Sequence, residues 1–129
     1  QNIIIPGVAI NGSSARLLLV RAVGPSLGQF GVAGTIGNPQ ITVTRSQGSS
    51  NVLVATNDDW NTQNATTVFN AADVRDYTSR AAAFSLLEGS RDAALILSTS
   101  TNVNYTIQVS GVGTDTGVAL VEVYDVTDL

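Results

Sequence analysis

Apolar residues along this chain fall into short runs separated by turn residues, a pattern typical of strands. Ile3 to Ile10 form one almost continuous apolar run. Residues 16–23 form a second, which predicts a strand buried on both faces. Residues 105–110 alternate apolar and polar side chains, which predicts a half-buried strand. Shorter runs at 41–44, 52–56, 93–99 and 118–126 bring the expected total to about seven strands.

Glycine and asparagine mark the turns between these runs. Asn11-Gly12 is a strong hairpin signal, and the glycine-bracketed segment 111–117 predicts another hairpin loop. Residues 47–50 predict a turn between two further strands. Evenly spaced short strands of this kind favour an antiparallel β-sandwich with jelly-roll-like topology.

One segment breaks the strand pattern. Residues 70–83 are rich in alanine, Asn70 is a suitable N-cap, and Asp73 falls in the first turn. Asp76 and Arg80 are spaced to pair across one helical turn. We therefore predict an all-β sandwich spanning residues 1–129 as one domain, with one short helical insertion within 66–83.

Composition excludes several classes of function. The chain of 129 residues has no histidine, cysteine or lysine, and its net charge is −4. Without histidine and cysteine, the common catalytic triads, zinc sites and redox dithiols are excluded. An acidic chain without lysine is poorly suited to nucleic acid. No run approaches the length of a membrane span. We predict a protein that is not an enzyme, needs no cofactor, binds no nucleic acid and does not insert into membranes.

The chain opens at Gln1 and contains no methionine. We therefore expect a processed mature chain or an excised domain. The absence of cysteine fits an extracellular protein whose core needs no disulfides. The predicted location is extracellular or at the cell surface, after removal of a signal peptide.

Several strings of residues are more specific than this general pattern. They are LLVRAVGPSL at 18–27, NDDW at 57–60, RDAAL at 91–95, VSGV at 109–112 and GVALVEVYD at 117–125. In this order they resemble an uncharacterised β-rich module of secreted bacterial surface proteins. The chain also resembles, more loosely, the bacterial pre-peptidase C-terminal domain. That resemblance implies a small β-sandwich found beside secreted enzymes, some members of which bind calcium.

The polar loop after the fourth predicted strand is a candidate calcium site. Asn57, Asp58, Asp59 and Asn61 offer the oxygen ligands that calcium prefers. The spacing is not that of an EF-hand. The alternative is an Asx-turn in which Trp60 closes one end of the sandwich.

Other charged residues have structural explanations. Arg21 lies inside an apolar strand, so we expect an internal ion pair with Glu122 or Asp125. Asp73 and Asp76 form a carboxylate pair of the type that glycosidases use. A helix N-terminus and a pair with a following arginine explain both acids more simply.

Three sequons, at Asn11, Asn64 and Asn104, are candidate glycosylation sites. Chance matches are expected in a chain so rich in asparagine and threonine.

The N-terminal run has two interpretations. It is either an ordinary first strand or a strand donated to a second copy of the protein, where it would complete the neighbour's sheet. In the second case Pro6-Gly7 would be the hinge, and repetition of the contact would give a fibre. The predicted self-association residues are Ile3, Ile4, Ile5, Val8 and Ile10.

The sequence therefore predicts a structural, self-associating subunit of a surface fibre or coat, whose partners are copies of itself. The alternative is a calcium- or glycan-binding accessory module of a larger secreted protein. The predicted core residues are Leu19, Val43, Val54, Leu95, Ile107, Val109 and Val121.

Overall fold

The structure, a computed structural model, describes residues 3–64 and 68–129. Across these residues the chain forms seven strands, a short 3-10 helix and one α-helix. The strands are β1 (Ile3–Ile10), β2 (Leu17–Val23), β3 (Pro39–Gln47), β4 (Ser50–Asn57), β5 (Ala93–Ser98), β6 (Tyr105–Gly111) and β7 (Leu120–Asp125). The 3-10 helix is Pro25–Phe30 and the α-helix, α1, is Ala71–Arg80.

The strands form two antiparallel sheets, which confirms the predicted β-sandwich. Sheet A has four strands in the order β1-β6-β3-β4, and sheet B has three in the order β5-β2-β7. The loop of residues 48–49 is a true hairpin, since Gln47 pairs with Ser50. No helix in the described part of the chain has the length and apolar character needed to cross a lipid bilayer.

Two predicted hairpins are wrong. Asn11-Gly12 joins β1 in sheet A to β2 in sheet B, and the segment 112–119 joins β6 in sheet A to β7 in sheet B. Both segments therefore cross between the sheets. Turn residues allow a sharp reversal of the chain, but they do not specify which sheet receives the next strand.

The space between the sheets is filled by apolar side chains. Val43, Leu95, Ile107 and Val109 are buried there, as predicted. Val54 and Val121 are only partly buried, which corrects the prediction for these two residues. They lie on β4 and β7, which are outer strands of their sheets and are covered on fewer sides.

A second apolar layer covers the outer face of sheet B. Leu19, Trp60, Val74 and Leu86 are buried there between the sheet, α1 and the long segment around the helix. β2 is therefore buried on both faces, as its continuous apolar run predicts.

The helix begins as the sequence predicts. The Asn70 side chain accepts a hydrogen bond from the Asp73 N–H at 3.1 Å, and Asp73 accepts one from the Asn70 N–H at 2.8 Å. This reciprocal capping box satisfies two backbone donors at the helix start. Arg80 pairs with Asp76 at 3.0 Å, one turn apart. Residues 66 and 67 of the predicted insertion lie outside the described residues.

Candidate functional site

The specific strings near residues 21–27 and 91–95 meet at a buried carboxylate. One oxygen of Asp92 accepts hydrogen bonds from the N–H groups of Gly24 (2.8 Å) and Ser26 (3.1 Å). The other accepts from the hydroxyls of Ser26 and Ser90. The Ser26 hydroxyl in turn accepts from the Leu87 N–H at 2.8 Å. A buried carboxylate satisfied by four donors holds the chain together at this corner and leaves no oxygen for a ligand.

The NDDW string also has a structural role. The Asn57 amide is buried, accepts from the Ala94 N–H at 3.1 Å, and donates to the carbonyl oxygens of Asp59 and Thr62, each at 3.1 Å. Trp60 is 2% exposed, and its indole N–H donates to the Leu87 carbonyl at 3.1 Å. This loop is thereby fixed against β5 and closes one end of the apolar layer.

These contacts also engage two of the four predicted calcium ligands. The amide oxygen of Asn57 accepts from β5, and that of Asn61 accepts from the Gly89 N–H at 2.7 Å. The other two predicted ligands are the carboxylates of Asp58 and Asp59. Calcium takes six to eight oxygen ligands. Within residues 3–64 and 68–129, no three acidic side chains converge where a metal ion could sit. The geometry therefore adds no support to the calcium prediction.

Arg21 forms the predicted internal ion pair. Its side chain is fully buried, and its Nε lies 3.0 Å from the Glu122 carboxylate on the neighbouring strand β7. Its Nη1 donates to the Phe84 carbonyl at 2.7 Å, and the guanidinium lies 4.5 Å from the Phe84 ring centroid. The Tyr124 hydroxyl donates to Glu122, and burial together with this hydrogen bond raises the pKa of Tyr124.

A cleft of about 140 Å³ lies beside Trp60, under an exposed ion pair. The Arg75 guanidinium lies 5.1 Å from the Trp60 ring centroid and donates two hydrogen bonds to Glu88, at 2.9 and 2.8 Å. Arg75 holds the pKa of Glu88 below its usual value. Because the indole is covered, the cleft offers no open aromatic face on which a sugar could stack.

The sequons lie at the surface or border on residues outside the described part of the chain. Asn11 and Asn104 are exposed and adjacent, since the Asn11 amide donates to the Asn104 amide oxygen at 2.5 Å. Asn64 is half-buried, and the threonine of its sequon, Thr66, lies outside the described residues.

On β3, β4 and β6, the outer face of sheet A carries no charged residue and is polar apart from Leu53. Buried residues of β3 and β6 point toward the core, so the alternate residues form the opposite face. Arg45 is the one charged residue in the four strands. It lies opposite Tyr105 in the strand register, and because Tyr105 is buried, this position belongs to the inner face. The paired positions of the outer face on these three strands are Gln40, Thr42, Thr44, Ser46, Asn51, Leu53, Thr56, Thr106, Gln108 and Ser110.

The edge of sheet A at β4 has neither a charged residue nor a proline. Val52 and Leu53 on this strand are exposed, as is the neighbouring Val68. An apolar groove of about 190 Å³ runs beside the strand. It is lined by Val54, Ala55, Val68, Phe69, Ile96 and Leu97.

The opposite edge of sheet A is β1. This strand pairs with β6 of its own chain from Ile3↔Ser110 to Ile10↔Tyr105, so one chain forms a complete sandwich. Pro6 and Gly7 lie inside β1, between two paired positions where the register shifts, and not in a linker. If β1 were exchanged between copies, the connection formed by residues 11–16 would have to be the hinge.

No family model, curated protein or solved structure matches this chain.

Proposed function

We propose that this chain is a non-enzymatic, extracellular structural subunit that associates with copies of itself through sheet A. The observation that carries the proposal is the β4 edge. An outer strand presents unpaired backbone donors and acceptors, and proteins that stay monomeric usually protect such strands with charges, proline or bulges. β4 has exposed apolar side chains and no charges. Of these protective features it has one, a register shift in its pairing with β3 between Val43 and Thr44.

The distribution of charge supports the same surface. The net charge is −4, and none of the ten acidic residues lies in a strand of sheet A. Two copies of an acidic protein repel each other when their charged sides approach. Sheet A is the side on which copies can meet with the least repulsion and without removing charged groups from water.

The carboxylates with the closest contacts have structural partners. Asp92 is saturated by backbone and serine donors, Glu122 pairs with Arg21, and Asp73 caps the helix. General acid–base chemistry needs a carboxyl group that faces a substrate pocket. These contacts favour a structural role over catalysis. The extracellular location rests on the sequence resemblance and stays a prediction.

The test compares two valines of nearly equal exposure on different edges. Val52 on β4 is 37% exposed and Val123 on β7 is 38% exposed. We expect wild-type protein to form species larger than a monomer in sedimentation velocity as its concentration rises. Val52→Lys should shift this association to at least tenfold higher concentration, and Val123→Lys should leave it unchanged. Each surface substitution should change the free energy of unfolding by less than about 0.5 kcal/mol.

A wild-type chain that stays monomeric at millimolar concentration would overturn the proposal, and the accessory-module alternative would then be preferred. Equal effects of the two lysine substitutions would also overturn it, because association would then not depend on β4.

A further inference from the structure

We infer that the copies join head to tail, so that β4 of one chain pairs with the outer edge of β1 of the next and sheet A continues across the junction. This inference rests on the proposed function and names the two surfaces that meet. It also differs from strand donation, because β1 keeps its pairing with β6 of its own chain.

Strand direction supports this junction. β1 is antiparallel to β6, β6 to β3, and β3 to β4. With four alternating strands, β4 runs opposite to β1. A copy displaced across the sheet, without inversion, therefore presents its β1 antiparallel to β4. The junction therefore repeats the antiparallel strand alternation that already exists within the chain.

The two edges are also compatible in chemistry. β1 and β4 both lack charged residues, and β1 is apolar by sequence at most positions. Beside β4 lies the apolar groove of about 190 Å³, which an apolar strand from a second copy would help to cover. No like-charge pair and no unpaired buried charge is created when these edges meet.

The register identifies the residues that should face each other. Ala9, Thr106, Thr44 and Leu53 form one row across sheet A, because each is paired with the next. If the row continues into the next copy, Leu53 faces that copy's Ala9. Both side chains are exposed.

Head-to-tail pairing gives an open assembly. Each copy uses two different edges, so addition of a copy regenerates the same free edge, and the assembly grows as a fibre unless rotation closes a ring. A β4-to-β4 dimer would instead leave both β1 edges unpaired. The head-to-tail junction is the arrangement that pairs both edges of sheet A.

The test uses cysteine pairs, since the chain has no cysteine of its own. Within one chain, Ala9 and Leu53 are separated by three strand spacings, about 14 Å. A disulfide needs Cα atoms within about 7 Å, so this pair cannot close inside one chain. We expect the double variant Ala9→Cys/Leu53→Cys to form a ladder of disulfide-linked multimers under mild oxidation. The single variants should give little cross-linked product.

The matched control is Ala9→Cys/Val118→Cys, because Val118 is 53% exposed and Leu53 is 56% exposed. This control should not form a ladder. If multimers form in sedimentation but Leu53→Cys alone gives strong dimers and the double variant gives no ladder, the copies join β4 to β4. The head-to-tail inference is then wrong while the proposed function stands. If no variant and no wild-type sample associates at all, both fail.

Discussion

The outer strands β4 and β7 show two different ways of ending a sheet. β7 carries Glu122 and Asp125, and Glu122 is held in place by the buried Arg21. β4 carries no charge, and two of its four exposed residues, Val52 and Leu53, are apolar. Charges on an outer strand discourage pairing with a second chain. The charge on β7 is therefore part of the packing of sheet B, whereas the β4 edge of sheet A carries no charge that would oppose a partner.

The largest expected effect on the free energy of unfolding comes from removing the charge of Glu122 on β7. Glu122→Gln leaves the Arg21 guanidinium buried without a counterion, which should lower the free energy of unfolding by about 3 kcal/mol. Asp125→Asn is the control, because its partner Arg16 is 3.6 Å away and both side chains are about half exposed. It should cost less than about 0.5 kcal/mol. Urea denaturation measures both, and equal losses would show that the buried pair does not stabilise β7.

The next largest effect is the difference in unfolding free energy between a valine truncated in the middle of sheet A and one truncated on its outer strand β4. Val109 is buried on a central strand, so Val109→Ala should cost on the order of 1–3 kcal/mol. Val54 is partly buried on β4, so Val54→Ala should cost less. Denaturant titration of the two variants at a concentration where the protein is monomeric tests this order. If Val54→Ala costs as much as Val109→Ala, β4 is packed as firmly as the interior.

A smaller effect concerns pH, because the two edges differ in titratable groups. Burial and the hydrogen bond to Glu122 raise the pKa of Tyr124 on β7. Its contribution to stability is therefore complete below the unfolded pKa, near 10, and is lost as pH rises through the folded pKa. Tyr124→Phe should remove this part of the alkaline loss in stability. A variant with the same alkaline profile as wild type would contradict this assignment.

The smallest effect concerns salt. An assembly that joins uncharged edges of an acidic protein should be slightly tighter at higher ionic strength, because salt screens the residual repulsion. We expect about a twofold fall in the apparent dissociation constant between 0.05 and 0.3 M salt. An interface built on ion pairs would show the opposite sign in the same sedimentation series.

Local patterns predicted the elements of this fold well. The continuous apolar run of β2 indicated burial on both faces, and Asn70 with Asp73 indicated where the helix begins. Both features depend on residues that are close in sequence, so the local sequence pattern is enough to recognise them.

Long-range features were harder to predict. The four hydrogen-bond donors of Asp92 come from residues 24, 26 and 90. Its role depends on contacts across 66 and 68 positions, which no local pattern encodes. The open β4 edge was missed for the same reason, because strand order in the sheets decides which strands lie outside.

The most direct test of association through β4 is hydrogen exchange of backbone amides at two protein concentrations. In a monomer, the outward-facing amides of β4 and β7 are both open to solvent and should exchange quickly. At a concentration where the protein associates, we expect slower exchange in β4, with exchange in β7 unchanged. Equal exchange in β4 at both concentrations, in a sample shown by sedimentation to be assembled, would contradict the claim that copies meet at this edge.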